Sequence, residues 1–153
     1  AAPTQKLPYL VDRGALTAEE ADAIIAQLAS AAEVISHDGP SRLLHGDLEG
    51  DHIYAQGDQF TGFIDFGAMQ AGDPLYDLAR FAWWDSYGWQ DLGKGYGFDA
   101  FTDEDLEVRM PAYLVANATR AADWLRRGIM DVTAAGDFIR AACGVSFTSL
   151  GRS

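Results

Sequence analysis

The chain has 153 residues, a formal charge of −12 and a pI near 4.4, which argues against duplex nucleic acid as a partner, because such binding relies on Lys and Arg neutralising phosphates. Hydrophobic residues make up 48% and charged ones 22%, enough to bury one ordinary core. No apolar run reaches the ~18 residues needed to cross a bilayer, so no membrane is expected as a partner.

Thr17 and Glu20 form a capping-box pattern, and Ala21, Ile24, Ile25, Leu28, Ala31, Ala32 and Ile35 follow at helical spacing, predicting a helix over 18–36. Leu43 and Leu44 read as a short buried strand. Ile53, Tyr54 and Ala55, then residues 60–66, flank the turn Gln56-Gly57-Asp58-Gln59 as a hairpin. Asp73 before Pro74 reads as an N-cap before an N1 proline, starting a helix through Leu75, Leu78, Ala79, Ala82 and Trp83 that Gly88 should stop. Residues 87–101 are glycine-rich and aperiodic, and are expected to form a long surface loop. Thr102 with Asp105 opens a further helix, which should bend at Pro111 and end at Gly128, and a last helix should cover 132–142. The lone Cys143 cannot form an internal disulfide and should be a small buried hydrophobe, which fits a cytoplasmic location.

Three acidic segments sit inside this frame: HGDLEGDH at 45–52, IDFG at 64–67 and GDPLYDLAR at 72–80. Moving a phosphoryl group needs a carboxylate to position the incoming hydroxyl and further ligands to hold the magnesium that neutralises the phosphate oxygens. Asp47 and Asp65 supply those two parts. At these residues the sequence resembles the aminoglycoside phosphotransferase family, a branch of the protein-kinase-like superfamily, strongly over 43–80 and loosely in the helices beyond.

The resemblance implies an α+β, mostly helical fold: a protein-kinase-like C-terminal lobe with a small β-hairpin carrying the catalytic and metal-binding loops. It implies Asp47 as the catalytic residue, with Asp65 and His52 holding Mg²⁺ and, through it, ATP or GTP. The position of His52 usually holds Asn, a harder ligand, and an imidazole nitrogen suits softer metals. His45, Gly46, Asp73 and Asp77 are expected to support the loop. Asp85, Tyr87, Trp89 and Asp99 are candidates for contacting a small-molecule hydroxyl substrate, including a cationic one such as an aminosugar, while Phe81 and Trp84 are expected in the core. Taken singly, each of these residues has a plainer explanation: Asp47 as a turn cap, Asp65 as a strand-ending turn, His52 and Asp51 as a solvated loop. Three ordered motifs coincide by chance far less often than one.

GKGYGF at 93–98 fits neither glycine-rich phosphate pattern and precedes no strand–helix unit. The first forty residues contain no glycine-rich loop, and neither Lys6 nor Lys94 stands where a nucleotide-binding lysine would. The whole chain, 1–153, is therefore expected to be one domain, the C-terminal catalytic lobe, with its nucleotide-binding lobe elsewhere, in cis or in trans. The rival expectation is a non-catalytic kinase-like binding or regulatory module.

Overall fold

In a computed structural model, residues 2–35, 41–85, 88, 91–92, 95, 101–145 and 147 are described. They form an α+β, mostly helical structure with two antiparallel two-stranded sheets, as the sequence predicts. The chain divides into two compact units, Ala1–Ser36 with Pro111–Val145 and His37–Met110 with Ser146–Ser153.

The first unit is helical. A 3-10 turn, Pro3–Lys6, leads into α1 (Leu7–Asp12), and α2 (Ala18–Ile35) starts at the predicted capping box, where the Thr17 N–H donates to Glu20 Oε2 at 2.7 Å and the Glu20 N–H to Thr17 Oγ1 at 3.1 Å. The helix expected to run on to Gly128 is instead broken at Thr119 and Arg120 into α4 (Met110–Ala118) and α5 (Ala121–Arg126). The Thr119 hydroxyl donates to the Ala116 carbonyl at 2.7 Å and so competes with the helix ladder. α6 (Val132–Cys143) is capped by Asp131, whose carboxylate accepts the Ala134 N–H at 2.8 Å. Leu7, Leu10, Ile24, Val115 and Ile139 are buried in this unit. Cys143, expected inside, is exposed at the end of α6.

The second unit holds the strands and α3 (Leu75–Trp84). β1 (Arg42–Leu44) pairs with β4 (Gln70–Gly72), Leu43 opposite Ala71, a pairing the sequence did not announce. Only Leu44 of the expected buried pair is buried; Leu43 is 73% exposed, since successive side chains on a strand face opposite ways. β2 (Ile53–Gln56) and β3 (Gln59–Phe63) form the predicted hairpin, but β3 ends three residues early, and Phe63 and Ile64 are exposed rather than on a buried edge.

α3 ends at Trp84 with Asp85 as C-cap, short of Gly88. Of the expected loop at 87–101, Gly88, Asp91, Leu92 and Gly95 are helical, and Phe101 is irregular. The other residues of that stretch lie outside the described ones. Thr102 and Asp105 do open a helix: the Thr102 N–H donates to Asp105 Oδ2 at 2.9 Å and the Asp105 N–H to Thr102 Oγ1 at 3.1 Å. A π-helical turn, Asp105–Arg109, stands just before Pro111, which has no N–H to continue the regular ladder.

Candidate active site

The first motif joins the other two: α3, which carries the third, grips residues 45–47, and the turn of the second packs on residues 45–52. The Asp77 carboxylate, on the first turn of that helix, accepts the backbone N–H of His45 at 2.7 Å and of Gly46 at 2.9 Å. Burial pushes the Asp77 carboxyl up from its ordinary value, while the Gly46 and His45 N–H groups pull it down. Asp73 caps the same helix, its Oδ1 accepting the Leu75 N–H at 3.1 Å, and its Oδ2 binds Arg109, which also holds Asp105. Burial works against the Arg109 charge, but the two carboxylates outweigh it and hold its pKa above the ordinary value. Both acids are buried, and their partners include backbone N–H groups and Arg109.

Gly46 adopts φ +76°, and a Cβ there would lie 2.1 Å from the Ala68 carbonyl oxygen. Only glycine permits that approach, which sets the Asp47 loop against the turn that follows Asp65. Two further links join them. His45 Nε2–H donates to the Ile64 carbonyl at 2.7 Å, and the Ile64 N–H donates to the His52 carbonyl at 3.1 Å. The His45 ring also stacks on His52, with centroids 5.5 Å apart, and packs against Phe66 at 4.9 Å.

Asp65 is exposed and is the one described non-glycine residue with positive φ, at 61°. That left-handed conformation costs an ordinary residue energy, and such outliers gather at functional sites. The Asp65 side chain bends over Gly67, its Oδ1 lying 3.4 Å from where a Cβ there would stand. His52 Nδ1 is 2.7 Å from the Asp47 carbonyl oxygen, and since a carbonyl only accepts, Nδ1 carries the proton. In a neutral ring the lone pair is then on Nε2, which lies 3.9 Å from Asp51 Oδ1. A ring nitrogen oriented by a backbone carbonyl through its other nitrogen is the usual arrangement of a histidine metal ligand.

No group of three or more His, Cys, Asp or Glu side chains among the described residues is arranged to hold a metal. A carboxylate and an imidazole do fit an ion that takes its remaining ligands from phosphate oxygens and water.

Asp47 is partly buried, and its Oδ1 lies 2.7 Å from Arg80 Nη2. The same nitrogen binds Glu49. Neither Arg80 nor Glu49 was singled out from the sequence; the signal was the Arg that ends the third motif. Asp85 abuts the loop, its Oδ2 lying 2.8 Å from where a Cβ on Gly50 would stand, while its Oδ1 accepts the Gly88 N–H at 2.7 Å. Tyr87, Trp89 and Asp99 lie outside the described residues. Phe81 is in the core as expected, but Trp84 is 45% exposed and lies under the Arg80 guanidinium.

A cavity of about 410 Å³ beside the loop is lined by His45, Leu48, Ile53, Phe63, Phe66 and Asp77, among others. Leu43, Phe60, Phe63, Ile64, Phe66 and Met69 are all at least 44% exposed in this unit, a large amount of apolar surface for a free face.

The fold is that of a protein-kinase-like phosphotransferase. The solved structure of a thermostable mutant of aminoglycoside phosphotransferase APH(4)-Ia in its apo form matches 80% of this chain at 22% identity with a TM-score of 0.57. A ternary complex of a variant of that enzyme with ADP and hygromycin B matches 79% at 21% identity and 0.57, and another with AMP-PNP and hygromycin B matches 93% at 18% and 0.55. The chain spans 43%, 43% and 51% of these three chains, respectively. A comparison with curated proteins found no match. The model of the phosphotransferase enzyme family matches residues 2–124, and the chain belongs to that family. Among the described residues no helix is long and apolar enough to cross a membrane.

Proposed function

We propose that this chain is the catalytic, C-terminal lobe of a kinase-like enzyme that transfers a phosphoryl group from ATP, or GTP, to a hydroxyl of a small molecule. The observation that carries this reading is the contact between the Asp47 loop and the Asp65 turn, made at Gly46 and Ala68 and reinforced through His45, His52 and Ile64. Asp47 orients the attacking hydroxyl and accepts its proton as the bond to phosphorus forms. Asp65 and His52 hold the divalent ion, which when bound neutralises phosphate charge. His45, Gly46, Asp73 and Asp77 fix the backbone on which these groups stand. Glu49, which shares Arg80 with Asp47, and Asp85, which abuts Gly50 of the same loop, add negative charge there, which favours a cationic acceptor such as an aminosugar antibiotic. The exposed apolar face carrying Phe60, Phe63 and Phe66 suits coverage by a nucleotide-binding lobe, in cis or in trans, and the isolated chain is expected to be weak or inactive without it.

The test is ATP turnover by the full-length protein with a panel of aminosugars, macrolides and amino alcohols. Asp47→Ala and Asp65→Ala should each lower kcat by at least about 100-fold. Undiminished turnover in both variants would end the kinase assignment. Calorimetry that finds neither metal nor nucleotide binding linked to Asp65 would point instead to a regulatory module.

A further inference from the structure

α3 carries an acid and a base three residues apart, and between them they grip three consecutive residues of the Asp47 loop. Asp77 takes the backbone N–H groups of His45 and Gly46; Arg80 takes the side chain of Asp47. The Arg80 side chain is only 4% exposed, so its charge needs partners, and Asp47 and Glu49 both supply them at Nη2. Trp84, one turn on, lies under the guanidinium at 5.9 Å. Two carboxylates around one cation leave the loop net negative. Asp47 is thus held in place by a cation that it shares with Glu49.

We propose that Arg80 is a positioning residue for phosphoryl transfer: its buried guanidinium fixes the rotamer of the Asp47 carboxylate against α3, the helix that also fixes the loop backbone through Asp77. The inference rests on the reading of Asp47 as the group that orients the acceptor hydroxyl. A guanidinium suits the task because it is rigid, planar and permanently charged, whereas a lysine amine is a point charge on a flexible stem. Glu49 binds the same guanidinium nitrogen as Asp47 and does not itself touch Asp47 in this contact, so its loss should matter less than that of Arg80.

The experiment uses the full-length protein with ATP, first with water and then with hygromycin B as the probe acceptor. Arg80→Met, Arg80→Lys, Asp47→Asn and the double variant Arg80→Met with Asp47→Asn are compared. Arg80→Met should lower kcat about 100-fold, the cost of a displacement near 1 Å at a reacting group. The KM for ATP and the affinity for AMP-PNP measured by calorimetry should stay within about twofold, because nucleotide binding does not depend on Asp47. Arg80→Lys should recover part of the loss. The double variant should be no slower than Asp47→Asn alone, since residues that act as a unit are not additive.

An Arg80→Met enzyme of normal kcat beside a dead Asp47→Asn enzyme overturns the role of Arg80 alone. A fall in AMP-PNP-binding fraction that matches the fall in kcat, in both Arg80→Met and Arg80→Lys, overturns it too, because Arg80 would then serve only the fold. Full activity in Asp47→Asn, or no turnover of ATP in the unsubstituted protein, removes the reading on which the inference rests.

Discussion

Asp77→Ala is the sharpest structural perturbation of the site, because it removes one side chain and leaves two buried backbone donors, the N–H groups of His45 and Gly46, without an acceptor. Each such donor costs about 1–3 kcal/mol when stranded, about 2–6 for the pair. Burial has already pushed the Asp77 carboxyl up, so removing a costly buried charge offsets part of that loss. The expected net destabilisation is about 3 kcal/mol, read as the shift of the urea midpoint multiplied by the m-value at neutral pH. The pH dependence has a definite sign. A carboxyl whose folded pKa is raised contributes stability that is fully present below its ordinary value of 3.8 and is lost as pH rises through the folded value. The gap between the unsubstituted protein and Asp77→Ala should therefore widen as pH falls from neutrality toward 3.8. A gap under about 0.5 kcal/mol at neutral pH, within the range of an ordinary surface change, or one that narrows on acidification, would refute the reasoning.

Glu20 is held down to about 2 from its ordinary 4.5, first by its hydrogen bond from Arg140 and then by the Thr17 N–H. Its contribution is present above 4.5 and lost as pH falls toward 2, so Glu20→Gln, which can keep the capping contact, should flatten the acid limb of a melting-temperature profile over that window. Gly46→Ala should destabilise by more than the about 1–2 kcal/mol of a left-handed residue, because its Cβ would strike the Ala68 carbonyl, and denaturant melts that match the unsubstituted protein would contradict this. His52→Asn replaces a nitrogen donor by an oxygen donor. The ratio of Mn²⁺ to Mg²⁺ affinity, measured by titration calorimetry, should fall in that variant, and an unchanged ratio would remove His52 from the ligand set.

Much of the fold was legible because the deciding interactions are local. The capping boxes at Thr17 and Thr102, and the Asp73 cap on Leu75, join residues two or three apart, and a reader of the sequence meets both partners in one glance. The hairpin announced itself through its turn, and the phosphotransferase motifs through their order. Features that depended on competition were misread. α4 and α5 separate because the Thr119 hydroxyl takes a backbone acceptor, and Ile64 and Asp65 leave the strand for a left-handed turn although strand-forming residues lead up to it. Burial of Leu43, Trp84 and Cys143 was overestimated, since apolar character says little about which face an element turns inward.

By itself the sequence determined the inventory of the site: which carboxylates, which histidines and which glycine stand in the motifs, and on what kinds of element. Tertiary structure alone decided their company. Asp77 reaches His45 across 32 positions, and Arg80 reaches Glu49 across 31. β1 finds β4, and the Gly46 backbone meets Ala68. No periodicity or spacing encodes such meetings. They arise when buried polar groups, barred from water, must find partners wherever the packed chain brings them.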